Sequence, residues 1–264
     1  MITLHASTPK GRVTSRKHVI HEAIDAVLGA MDTDLLTSCG CHLAGGAAVV
    51  LRTGEHRRTG EATFLCGSWD GWRRMRAAAL AAVEGPSRSD DPRGVRAVRP
   101  VTVERFGFRT TLAWNDHRVK LAVLHEPRFV VAGGVDTALG VPVLDRSASC
   151  VERLMAIVDA AGDPTVAVPA ALDLATLCAG GGLPDDALRT VERLQGDDLW
   201  SAVAAAVRDR PHLEVRGAES AAVARALRTL EREMDGFRGR LGRDVLESVE
   251  AVDGRGVRPV AGTP

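Results

Sequence analysis

The chain contains no tyrosine, and Phe, Trp and Tyr together make up only 3% of its 264 residues. Its core must therefore be filled mainly by aliphatic side chains. Lysine is nearly missing as well: of the 34 Lys and Arg residues, only those at 10, 17 and 120 are Lys. Net charge is absent, because Asp and Glu also number 34. That balance argues against nucleic-acid binding driven by the charge of the whole surface, though not against a local basic patch. No run of 18 or more apolar residues occurs, so no membrane span is expected. Residues 1–18 lack the apolar centre of a secretory signal. The five cysteines (39, 41, 66, 150, 178) are an odd number, and without such a signal they are expected to be reduced thiols in a cytoplasm. There is no Walker loop, no Gly-x-Ser-x-Gly and no His-Glu-x-x-His.

What is present has ordinary globular proportions, with 45% hydrophobic and 26% charged residues. The length suits one large or two small domains. Periodicity predicts an amphipathic helix over 15–31, with Ile20, Ile24, Val27, Leu28 and Met31 inward and Ser15 as its cap. Residues 35–66 read as a strand (35–43), a turn at Gly45-Gly46, a short helix (47–52) and a second strand (59–66). On that second strand Glu61 and Thr63 face one side, Ala62 and Phe64 the other. A helix over 69–83 should bury Trp72, Met75, Ala79 and Val83. A loop over 85–94 follows. Strands are expected over 95–103, interrupted at Pro100, over 106–114 and 119–124 around an Asn115-Asp116 turn, and over 128–132. Helices are expected over 150–161 (capped by Ser147 or Ser149), 169–178, 184–194, 199–207 and 218–234. In the second of these, Pro169 opens the first turn and Gly180–Gly182 stops the helix. This order predicts an α+β fold, a mixed sheet with packed helices followed by a helical half. The expected division is an α+β domain over 15–143, a helical domain over 144–250, and flexible tails at 1–14 and 251–264.

Three groups of residues carry chemistry. Gly45-Gly46 beside the alternating polar residues Glu61 and Thr63 suits the holding of a phosphate next to a metal. Cys39 and Cys41 share a face of the first expected strand, and Cys66 comes near Cys39 if the two strands are antiparallel neighbours. Three thiolates can bind Zn²⁺ or Cu⁺, while simple core packing is the competing reading. Arg52, Arg57, Arg58, Arg73, Arg74 and Arg76 gather in sequence around the glycine turn. They suit either a basic rim for triphosphate or RNA or solvated helix faces. Trp69 near that rim can stack on a base; Trp72 is expected in the core. His18 and His21 read as surface histidines.

The stretch HLAGGAAVVLRTGEHRRTGEATF resembles the entry motif of nucleotidyltransferases of the AbiEii/AbiGii toxin type, in the DNA polymerase β-like superfamily. VKLAVLHE resembles the strand that carries that family's third carboxylate, and VERLMAIVDAAGDPTVAVPAALDLATL its helical segment. The resemblance covers roughly residues 20–235. It implies a minimal nucleotidyltransferase fold and two Mg²⁺ ions held by two or three carboxylates. It also implies an NTP whose nucleotide is passed to an RNA or protein acceptor. Carried over residue by residue, Gly45 and Gly46 match the glycine pair, with Ala47 where relatives have Thr or Ser. Arg57 or Arg58 matches the Arg before the acidic strand, and Thr59 matches the hydroxyl residue. Glu61, Thr63 and Ala122 fall on the three carboxylate positions. Arg153 replaces a lysine, Asp159 and Asp173 remain, and Pro169-Ala170 replaces an Arg-Asp pair. The expectation is an eroded two-metal site, in a pseudo-enzyme or an enzyme of altered chemistry that keeps nucleotide binding. An active transferase using Glu61 with Asp159 or Asp173, a helical interaction module, and a metal protein built on Cys39, Cys41 and Cys66 are the alternatives.

Overall fold

The computed structural model describes residues 15–84, 94–179, 181–196, 198–209 and 228–236, without the side chains of 82–84 and 207–209. The expected tails, most of the 85–94 loop, Gly180, the inward placement of Val83 and the start of the 218–234 helix lie outside the described residues.

The fold is a mixed sheet with helices on both faces. Eight strands are described: β1 (Cys41–Ala44), β2 (Glu61–Cys66), β3 (Val95–Ala97), β4 (Thr102–Val103), β5 (Gly107–Trp114), β6 (His117–His125), β7 (Gly133–Val135) and β8 (Pro142–Leu144). Their order is β3-β5-β6-β2-β1-β8-β7, with β4 beside β5. β2 runs antiparallel to β1 and parallel to β6. Period-2 alternation then divides the core. Ala62, Phe64, Phe108, Val119, Leu121 and Val123 face α1 (Val19–Gly29) and α4 (Trp69–Glu84), where they meet Ile24, Val27, Leu28, Trp72, Met75 and Ala79. Ala44, Leu65 and Leu144 face a second cluster built from α5 (Arg146–Asp159), α6 (Pro164–Ala179), α7 (Asp185–Gln195) and α8 (Asp198–Asp209). Residues 228–236 are helical and add Leu230 and Met234 to that cluster. Among the described residues no helix is long and apolar enough to cross a membrane.

Several elements depart from expectation. The run 35–43 is not one strand. Residues 33–38 form the helix α2 (Thr33–Ser38), because the Asp32 carboxylate caps it by accepting from the Leu35 N–H; only Cys41–Ala44 is strand. Asp145, not Ser147 or Ser149, caps α5 by accepting from the Ala148 N–H. α6 begins at Pro164, which leaves Pro169 inside the helix and not in its first turn. The last expected strand lies at 133–135, not 128–132, and β8 was not expected at all.

The cysteines differ as well. Residues 41 and 66 are direct partners across β1 and β2 and are joined as a disulfide, so these two are not reduced thiols. Cys39 is the C-cap of α2 and is buried. The three sulfurs thus form no ligand set, and no cluster of three or more His, Cys, Asp or Glu suited to a metal occurs among the described residues. Burial pushes the Cys150 and Cys178 thiols up to about 12.

His21 is not a surface residue; it is fully buried. Its Nε2 accepts from the Thr59 N–H (3.1 Å), so the ring proton sits on Nδ1 and is donated to Glu55 (2.7 Å). Burial lowers the His21 pKa, and the Glu55 contact only partly opposes it. Folded His21 therefore takes up a proton less readily than the unfolded chain does. Stability is full above the unfolded value of about 6.5 and is lost as pH falls below it, at up to about 1.4 kcal/mol per pH unit. Melting followed by circular dichroism between pH 7.5 and 5.5 should show a falling midpoint in wild type and a flatter profile in His21→Gln. A wild-type midpoint that is flat or rises on acidification would contradict this tautomer and its burial.

Candidate functional site

The end of β1, the start of β2, α5 and α6 converge at the turn that opens α3 (Gly45–Val50). Gly45 adopts φ +68°, a conformation that favours glycine. A Cβ there would lie 3.5 Å from Nη2 of Arg153 and 3.9 Å from Oγ1 of Thr63. So the turn faces one arginine of α5 and one hydroxyl of β2. Gly46 is more tightly constrained: a Cβ on it would run into the Arg57 guanidinium, with Oδ2 of Asp173 3.4 Å away.

Beneath the turn lies an ion network centred on Asp173 of α6, which is completely buried. Its carboxylate accepts from Arg57 Nε (2.6 Å) and Nη2 (2.5 Å), from His56 Nε2 (2.9 Å) and from Arg153 Nη1 (3.4 Å). Arg57 also donates from Nη1 to the Arg58 carbonyl (3.0 Å), and Arg153 also pairs with Glu152. Burial alone would raise the Asp173 pKa, but Arg57, then His56 and Arg153, hold it below the usual carboxylate range. At Arg153 burial opposes the charge, and Glu152 and Asp173 outweigh it, so its pKa is raised. The network is thus two guanidiniums, an imidazole and two carboxylates that satisfy one another. His56 and Glu152 were not anticipated, although both adjoin arginines that were.

Sheet register places the three candidate carboxylate positions side by side. Thr63 pairs with Ala44 on one side and with Ala122 on the other, and Glu61 pairs with Lys120. Directly paired residues present their side chains to the same face. Position 122 has only a methyl group, and position 63 has a hydroxyl that donates to Glu61 (3.4 Å). Glu61 itself is exposed. Asp173 cannot add ligands, because its oxygens are already taken by cations. Asp159 pairs with Arg128 (2.9 Å), just beyond the far end of β6. One carboxylate and one hydroxyl do not fit a pair of hard dications, which need several anionic oxygens.

The expected nucleotide-binding residues separate into two groups. Gly45, Gly46, Arg57 and Arg153 come together. Arg58 and Thr59 are tied to the α1 end instead, through Arg58 Nε to His18 Nδ1 (3.3 Å) and Thr59 N to His21. The expected basic rim is also divided. Arg52 pairs with Asp136 (3.2 Å), while Arg73, Arg74 and Arg76 lie on α4, beyond the opposite end of β2. From Glu61 to that end is about 17 Å along the strand. Trp69 is there too, half exposed against His125 (5.1 Å) and Phe106 (6.5 Å), and is not near the turn. Trp72 is buried and stacks on Phe108, as expected of a core residue.

No family model matches the chain, and no curated protein matches it. Solved structures overlap its fold loosely. JHP933 from Helicobacter pylori is 13% identical over 90% of this chain and 100% of its own, with a TM-score of 0.47. A candidate nucleotidyltransferase from H. pylori is 14% identical over 85% of this chain and 99% of its own, with a TM-score of 0.44. The Megavirus polyadenylate synthase is 9% identical over 82% of this chain but 40% of its own, with a TM-score of 0.29. Overlaps this loose carry no activity from those proteins to this chain.

Proposed function

We propose that this chain is a nucleotidyltransferase-fold protein that binds a nucleotide at the Gly45–Gly46 turn and does not run a two-cation transfer reaction. The observation that carries the reading is the pairing of Thr63 with Ala122 in the sheet. These are two of the three positions where the AbiEii/AbiGii resemblance requires carboxylates, and neither side chain supplies a carboxylate's negative charge. Glu61 alone supplies one negative charge, too little to hold two dications against their hydration. The turn is supported from below by the Asp173 network, and Arg153 reaches it from the side, so the means of receiving phosphate oxygens remain.

The test of lost transfer is direct. Protein is incubated with each labelled NTP, Mg²⁺ or Mn²⁺, and bulk RNA, and both RNA and protein are examined for label. The expected result is no transfer by wild type and none by Glu61→Gln. Label transfer by wild type that Glu61→Gln abolishes would instead establish an active transferase working from a single carboxylate.

A further inference from the structure

Lys120 stands where a cation would be most useful. It pairs directly with Glu61, so both side chains rise from the same face of the sheet that carries Thr63 and Ala122. It lies two residues before Ala122, about 6.6 Å along the strand, and is exposed. Ala122 itself is buried and contributes only a methyl group between Lys120 and the far end of the strand. No ion pair joins Lys120 to Glu61 among the described residues, so the neighbouring carboxylate does not account for it. Composition sharpens the point. Lys is one of only three among 34 Lys and Arg residues; Lys17 donates to the Gly54 carbonyl and Lys10 lies outside the described residues. Where this chain needs a planar fork it uses Arg, as at Asp173. An ammonium on a flexible stem is a compact charge with three rotatable donors, suited to oxygens whose geometry varies along a polyphosphate.

We infer that Lys120 is a phosphate-binding residue of this sheet face, whose ammonium neutralises the polyphosphate of a nucleotide seated at Gly45 and Thr63. Its fixed charge does part of what a bound dication would do, on a sheet face that lacks the ligands to hold one. The inference rests on the nucleotide-binding reading above and adds to it a residue, a ligand group and independence from metal. The other charged side chains that the strand register brings to this face are Glu61, Arg118, Arg96, which pairs with Ala113 beside Arg118, and Arg109, which is paired with Glu104 (2.6 Å). Arg118 is four residues from Ala122, about 13 Å along the strand, and so provides a charge-matched comparison outside contact range.

The experiment measures binding of ATP and of inorganic tripolyphosphate by titration calorimetry in EDTA, for wild type, Lys120→Gln, Lys120→Arg and Arg118→Gln. Each variant is first shown to melt at the wild-type temperature, as expected for exposed positions. The expected result is a loss of at least tenfold in affinity for both ligands in Lys120→Gln. Lys120→Arg should recover most of it, and Arg118→Gln should change it less than threefold. Equal losses in Lys120→Gln and Arg118→Gln would reduce Lys120 to one contributor to a general field and overturn the assignment. Wild-type affinity in Lys120→Gln would overturn it while leaving nucleotide binding intact. No binding by wild type would overturn both.

Discussion

Replacing Asp173 with Ala should cost about 3–5 kcal/mol of stability, because it strands two buried guanidiniums without their shared counter-charge. For a domain of this size that lowers the melting temperature by about 10 °C or more. Asp173→Asn keeps the volume and one acceptor but removes the charge, so it should fall between wild type and Asp173→Ala. Calorimetric melting at neutral pH reads all three. The sign also follows from titration. The folded pKa of Asp173 is depressed, so its contribution is present above the unfolded value of about 3.9 and disappears as pH falls through the folded value. The gap between wild type and Asp173→Asn should therefore persist at pH 5 and close only in strong acid. An Asp173→Ala protein as stable as wild type would mean that Arg57 and Arg153 find water, and that the network is not closed.

The second large effect belongs to Gly46→Ala. The backbone at Gly46 does not demand glycine; the space does. The new methyl would meet the Arg57 guanidinium, which cannot step aside without giving up Asp173 and the Arg58 carbonyl. Overpacking of this kind costs about 1–3 kcal/mol. Because the cost acts through Arg57, it should shrink in an Arg57→Ala background, and a double-mutant cycle should show coupling of about 1 kcal/mol or more. Equal costs in both backgrounds would separate Gly46 from the network. A Gly46→Ala protein that melts normally but loses nucleotide affinity would make the residue a ligand contact alone.

Both predictions concern residues that the sequence disclosed only in part. The glycine pair, the alternation along β2 and the helices after residue 146 were legible, because each rests on a local period or a turn former. The network was not, because it joins residues more than a hundred positions apart, from the 56–57 loop to α6. Asp173 and Arg153 were found through the resemblance, but what they bind was not. His21 shows a signal that was available and unused. It lies at helical spacing from Ile24 and Leu28 on the buried face, and only its polarity argued for the surface. The disulfide shows how much one residue decides. The run from Leu35 looked continuous and brought Cys66 near Cys39 if the strands were antiparallel neighbours, but a capped helical turn ends at Ser38 and the register pairs Cys41 with Cys66 instead. Short apolar runs do not by themselves distinguish strand from helix; here the Asp32 cap does.

The grouping of positions 61, 63 and 122 is the firmest link between sequence and site. Resemblance placed Glu61, Thr63 and Ala122 in one group, and the register brings all three to one face of two paired strands. The same face carries Lys120, exposed beside Glu61. The proposal that a nucleotide's phosphates are met here by side chains rests on that grouping.

The most direct test is a thermal-shift screen of the four NTPs on the intact chain, run once in EDTA and once with Mg²⁺ or Mn²⁺. A shift with at least one NTP in EDTA, not enlarged by either metal, is the predicted result. A shift that appears only with the divalent cation, or no shift with any NTP, would contradict it.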